Sequence, residues 1–428
     1  MSKQHRWLHE QLAAWQSAGL IDSAQAEALA ARHPLPEAGR AWGQIIFSAI
    51  GAVVAGLGIV LFFAYNWEAI PKFAKLALVF GAIAAAHGAG IWAGRRQPHL
   101  AEGLHALGTM LFGAGIWLVA QAYHIDEHYP NGLLLWSLGA LALAWALPSL
   151  AQGLMAALLI GLWAGFEAFE FERGVYWAPV LVALGLLPLA WLMRSRVLMF
   201  FALAALYAVL FLSTVPYYEE LAVATAYSVG VIYLLAGYAL AASAFAEAAV
   251  PVRRLGFTLY LIVLYGVSFS DFADVLDDVE LRGLGAVAYF ALPILAVAGL
   301  AAWVAWRQFS AMEVQARLHV AGALLGTTVM AVLAIVSETK LELIGFVVFN
   351  LLFLGHCLLF IQEGCRQGDA KLVSVACVLF AALAMARYVD LFDSLLVRAA
   401  VFLALGAGLF WVGNVYARSR RRLKEAAS

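Results

Sequence analysis

The order of apolar and polar positions is the dominant signal in this chain. From Trp42 nearly to the C-terminus, apolar runs of about 20 residues alternate with short polar breaks. A helix rising ~1.5 Å per residue crosses the roughly 30 Å hydrocarbon core in about 20 residues, so each run has the length of one membrane span. The first seven segments are Trp42–Tyr65, Phe73–Gly94, Leu100–Tyr123, Gly132–Leu147, Ser149–Phe166, Val175–Met193 and Val197–Val215. The next seven are Leu221–Ala244, Leu255–Ser270, Gly283–Trp306, Val314–Val336, Glu342–Gln362, Leu372–Tyr388 and Leu395–Tyr416. The pattern predicts an all-α, polytopic helical membrane protein with about 14 transmembrane helices over residues 42–416.

The two ends differ from this middle. Ser2–Ala18 has Leu8, Leu12 and Trp15 at i, i+4 and i+7, the spacing of an amphipathic helix. Gly19 ends it, Asp22 and Gln25 have capping-box spacing for a second short helix, and His33-Pro34 ends that one. Residues 1–41 are thus predicted to be a helical hairpin too small to bury a core alone. It is expected to dock on the membrane domain or on a protein partner. A basic tail, 417–428, closes the chain. The first 41 residues lack a short apolar core with a cleavage site, so no cleaved signal peptide is expected.

Composition narrows the class. Of the 428 residues, 64% are apolar and 12% charged, against roughly 45–50% and 25% in soluble domains. Soluble enzymes, nucleic-acid binders and secreted disulfide scaffolds are excluded, and the first partner is the lipid bilayer. With the N-terminus cytoplasmic, nineteen Lys and Arg fall on the inner side and five on the outer. That alternation, loop after loop, predicts an N-in, C-in topology. Cys357, Cys365 and Cys377 lie near the inner ends of spans without CxxC spacing, which reads as free thiols in a reducing compartment.

Two stretches carry a family resemblance. Phe62-Phe63-Ala64-Tyr65-Asn66-Trp67-Glu68-Ala69-Ile70-Pro71, with Lys75 behind it, and the turn Gly19-Leu20-Ile21-Asp22 resemble a bacterial family known as predicted membrane protein, domain of unknown function 2157. Arg387-Tyr388-Val389-Asp390-Leu391-Phe392, with Arg398 and the basic tail, is similar to the last hairpin of a wider group of such proteins. The resemblance implies a bacterial inner-membrane location and no established activity, so it supplies no catalytic residues.

Ionisable and polar groups within spans are the functional candidates, because a bilayer makes them costly. Arg387, Asp390, Asp393 and Arg398 cluster at the outer ends of the last two spans and read as a structural ion-pair network. His87, His105, His319 and His356 lie on four spans near the inner boundary, at one depth, and are the candidates for a metal site or proton relay. Asn66 and Trp67, with Gln121, Tyr123 and His124, end two spans that echo each other at an offset of 57 residues and are candidates for an outer substrate path. Acidic residues collect in the outer connections, among them Glu167, Glu170 and the run from Asp271 to Glu280, a face that would concentrate cations.

HExxH, GxGD and GxSxG are missing, and no soluble region is large enough for a nucleotide domain. No catalysis and no cofactor are expected. The expected function is transport or permeation of a small polar or cationic solute. The alternative is a non-transporting membrane scaffold or envelope-assembly protein that binds partners through its N-terminal hairpin or outer loops.

Overall fold

The computed structural model describes residues 11–12, 15–32, 71–94, 96–124, 128–217, 219–269, 283–336 and 339–391, with isolated positions between 47 and 61 and between 403 and 418. The described residues are all-helical, with no strand among them. Helix α1 (Ser23–Arg32) belongs to the hairpin. Then come α2 (Lys72–Ala93), α3 (Pro98–Tyr123), α4 (Pro130–Ala146), α5 (Leu150–Glu170), α6 (Ala178–Leu192) and α7 (Arg196–Thr214). The series continues with α8 (Glu219–Ala241), α9 (Ala249–Gly266), α10 (Gly283–Gln308), α11 (Val314–Ile335), α12 (Thr339–Gln367) and α13 (Ala370–Leu391). Each predicted segment between Phe73 and Tyr388 coincides with one of these helices. The first and last predicted segments fall largely outside the described residues. Among the described residues, ten helices are long and apolar enough to cross a membrane, and α4 and α6 are shorter apolar helices.

The hairpin turn follows its sequence signals. Gly19 has φ +69°, the left-handed conformation that ends a helix, and the Leu20 amide reaches back to the Trp15 carbonyl at 2.9 Å. Asp22 and Gln25 form the reciprocal capping box: the Gln25 amide donates to Asp22 Oδ1 at 2.7 Å, and the Asp22 amide donates to Gln25 Oε1 at 3.1 Å.

The chain divides into two compact units, Met1–Ile125 and Asp126–Ser428. In the first, α2 and α3 form an antiparallel pair whose contact face is built of small residues, including Gly90, Gly108 and Gly115. The large apolar side chains that point outward, such as Phe80 and Trp92, are the surface a bilayer requires. Gly51 and Gly58 of the echoing segment are open, and its other glycine, Gly56, lies outside the described residues.

In the second unit α8 is the most buried span. Its Tyr227, Leu234 and Leu235 are fully buried in a core shared with α9, α11 and α12. Helices α8 and α9 approach until backbone meets backbone. A methyl group added at Gly237 would lie 2.6 Å from Arg253 Cα, and one at Gly230 would lie 2.8 Å from the Tyr260 nitrogen. One at Gly256 would overlap the backbone of Tyr233 and Leu234. Between α4 and α6 the problem is different. Pro188 lacks an amide proton, so α6 relaxes through a π turn at Val182–Leu186. The carbonyl of Gly185 in that turn accepts from Trp145 Nε1 at 2.9 Å, which satisfies it inside an apolar layer.

The α8–α9 seam generates the first prediction. Gly256→Ala forces the hairpin apart, and overpacking of this kind costs about 1–3 kcal/mol. Gly161, which has nothing within 4 Å of its missing Cβ, tolerates alanine. Thermal unfolding in detergent should show a clear drop in Tm for Gly256→Ala and none for Gly161→Ala.

Candidate functional site

The four sequence-predicted histidines come together two by two. In the first unit, His87 on α2 and His105 on α3 face each other with their Nδ1 atoms 3.1 Å apart. In the second, His319 on α11 and His356 on α12 do the same at 2.8 Å. The ring planes are near parallel, at 25° and 19°, with centroids 5.4 and 5.0 Å apart. Each centroid separation exceeds the nitrogen separation by about one ring width. The rings therefore lie edge to edge, each Nδ1 pointing at the other.

That geometry suits a shared proton. Each pair by itself offers two imidazole nitrogens, fewer than the three or four protein ligands of a zinc site. One nitrogen of each pair donates and the other accepts. No group of three or more His, Cys, Asp or Glu able to hold a metal occurs among the described residues.

Glycines make the pairs possible. Added carbons at Gly108 and Gly90 would strike the rings of His87 and His105, at 2.6 and 2.8 Å, so each ring lies on the glycine of the facing helix. Gly322 offers the same space to His356 at 3.1 Å. His87, His105 and His319 are each followed three residues later by glycine. This His-x-x-Gly recurrence was the available signal that the histidines pair across helices.

The second pair extends further. His356 Nε2 lies 2.8 Å from the Tyr260 hydroxyl on α9, and Tyr260 packs edge-on against Tyr227. All four residues are buried. His319 Nε2 is buried without a hydrogen-bond partner among the described residues. His319 also lines a cavity of about 1460 Å³ enclosed by α8, α9, α11, α12 and α13, with residues from the end of α10 at its rim.

This cavity is a groove with two ends. Arg253, Arg254, Arg307 and Lys371 line one end. Three carboxylates line this end against those four cations: Glu313 takes Arg366 at 2.8 Å, Asp369 accepts from the Lys371 amide at 2.9 Å, and Glu363 accepts from Gln367. Beyond them the walls are Phe257, Leu261, Phe353, Phe360 and Leu379. The far end closes where the Tyr265 hydroxyl donates to the Ala382 carbonyl at 3.2 Å, tying α9 to α13. From Arg253 to Tyr265 along α9 is ~18 Å at the helical rise. Ile262 and Val375 line the groove yet are 61% and 54% exposed, so it opens sideways between α9 and α13.

The other candidates are placed as follows. Gln121, Tyr123 and His124 end α3, all three exposed. The Lys72 ammonium lies 5.5 Å over the Tyr123 ring, and His124 caps the helix with φ 54°, its Nδ1 3.0 Å from the Gln121 carbonyl. Asn66 and Trp67 lie outside the described residues. Arg387 near the end of α13 spreads its guanidinium against Phe269 and Phe346, at 5.2 and 4.9 Å. Asp393 and Arg398, and the side chain of Asp390, lie outside the described residues.

The acids Glu167 and Glu170 are held by partners that the sequence reading did not single out. Glu167 is buried and accepts from His128 Nε2 at 2.7 Å and from Trp163 Nε1 at 3.2 Å. Tyr129 donates to Glu170, a bond that pushes its hydroxyl up to about 12.

Two outcomes follow. Glu167→Ala leaves the His128 and Trp163 donors unpaired and should lower stability by about 1–3 kcal/mol, whereas Glu172→Ala should change the melt little. Gly108→Ala drives a carbon into His87 and should lower Tm, while Gly88→Ala, with open space at its Cβ, should not.

Comparison with known proteins adds one match. The family model described as Predicted membrane protein (DUF2157) matches residues 13–153, which span the hairpin turn, α2 to α4 and the start of α5. No curated protein and no solved structure matches the chain. The groove lies wholly outside the matched segment.

Proposed function

We propose that this protein binds an amphiphile with an anionic headgroup in the groove of its second unit and moves or presents it within the membrane, without catalysis. The observation that carries the reading is the groove itself, with cations at one end, apolar walls beyond and a lateral opening. Lys and Arg gather at the inner boundary of any such protein. A cavity of this size running from them into the apolar layer is not part of that rule. An anionic head meets Arg253, Arg307 and Lys371, and its chain lies along Phe257, Leu261 and Leu379, entering from the bilayer past Ile262 and Val375. The apolar walls argue against the polar or cationic solute expected from the sequence, which would lose its water there without gaining partners. The proposed setting is a bacterial inner membrane, with about fourteen spans and both termini cytoplasmic. The basic end of the groove then draws from the anionic inner leaflet.

Native mass spectrometry of the purified chain tests this. Phosphatidylglycerol should be retained in preference to phosphatidylcholine of the same chains. With about 1 kcal/mol per cation near the surface, the triple change Arg253→Ala, Arg307→Ala and Lys371→Ala should weaken retention by about two orders of magnitude. Equal retention of the two lipids by the unchanged protein contradicts the proposal.

A further inference from the structure

The residues Tyr260, His356 and His319 form a chain that ends at the groove wall, and its hydrogen-bond directions are fixed by simple chemistry. A charge inside the apolar layer is costly, so each imidazole carries one proton. A phenol is the more acidic donor and an imidazole nitrogen the more basic acceptor, so the Tyr260 hydroxyl donates to His356 Nε2 across their 2.8 Å contact. His356 then holds its proton on Nδ1 and donates to His319 Nδ1, again at 2.8 Å. This leaves the proton of His319 on Nε2, the one ring nitrogen of the chain without a partner among the described residues. The hydrogen bond made by one nitrogen sets the state of the other.

His319 is five residues into α11, ~8 Å below the start of that helix. Headgroup and interface together add roughly 5–8 Å to each face of the hydrocarbon layer. An amphiphile whose anionic head rests on Arg253, Arg307 and Lys371 therefore brings to His319 the group that joins head to chain. Around that point the rings of Phe257 and Phe360, 5.0 and 4.8 Å from the imidazole, offer no other polar contact.

We propose that the Tyr260–His356–His319 chain presents an N–H donor to the ester carbonyl of the bound amphiphile, and so selects acyl-ester phospholipids over amphiphiles lacking a carbonyl at that depth. Tyr260 and His356 are positioning residues, and His319 alone touches the ligand. This inference rests on the groove being an amphiphile site, and it specifies which amphiphile.

The experiment compares phosphatidylglycerol with its dialkyl ether analogue, which has the same headgroup and chain length, by native mass spectrometry of the full-length protein in competition. A buried donor left without an acceptor is expensive, so the unchanged protein should favour the ester by about five-fold or more. His319→Leu should retain both lipids equally. Tyr260→Phe, which removes a single oxygen and keeps the ring packing, should reduce the preference by releasing the tautomer. A preference unchanged in Tyr260→Phe overturns the role of the chain. Equal binding of ester and ether by the unchanged protein overturns the selection while leaving the groove occupied. Retention of neither lipid overturns the groove reading itself.

Discussion

The backbone contact between α8 and α9 is the constraint on which the rest of the second unit depends. Gly237 lies against Arg253 and Gly230 against Tyr260. Those two partners are seven residues apart, two turns of one helix face. The same seam therefore sets the height of the cation at the basic end of the groove and of the phenol that orients the histidines. In a membrane the association of helices owes little to the hydrophobic effect, because the lipid is as apolar as the side chains. Close approach through small residues, with the dispersion contacts it permits, takes its place. Any side chain at these glycines would separate α9 from α8 and move Arg253 and Tyr260 together.

A second consequence concerns how polar groups survive in an apolar layer. Many buried polar groups of the second unit are answered locally: Trp145 for the Gly185 carbonyl in the π turn, Tyr265 for the Ala382 carbonyl, and Asn350 Nδ2 for the Phe346 and Ser268 carbonyls. Unsatisfied groups cost several kcal/mol in such a setting. Thr225 Oγ1, Gln315 Oε1, Asn350 Oδ1 and His319 Nε2 are buried without a hydrogen-bond partner among the described residues, and of these only His319 lines the groove.

Much of the architecture was legible in the sequence because span length is set by the bilayer and not by fine packing. The segments between Phe73 and Tyr388 emerged from hydrophobic runs alone, including the pair meeting at Pro148, and the Asp22–Gln25 box and the Gly19 stop followed from local chemistry. The histidines were picked out by the cost of a polar group in a span. Their pairing was not, because which spans are neighbours depends on glycine contacts that are spread over the whole chain. The groove was invisible for a related reason. It is lined by residues from Leu234 to Ala382 on separate helices, and, His319 apart, each of those residues reads as ordinary lipid-facing or interfacial sequence. Tyr260 and His128 were passed over because an aromatic in a span and a histidine in a loop carry no signal until their partners are known.

The account stands or falls on what fills the groove. A cryo-EM map of the full-length protein in nanodiscs containing phosphatidylglycerol is the most direct measurement. The account predicts one elongated density that starts between Arg253, Arg307 and Lys371, passes His319, and runs along Phe257 and Leu261 toward Tyr265. A groove closed by α13 packing onto α9, or one holding only water, would contradict it.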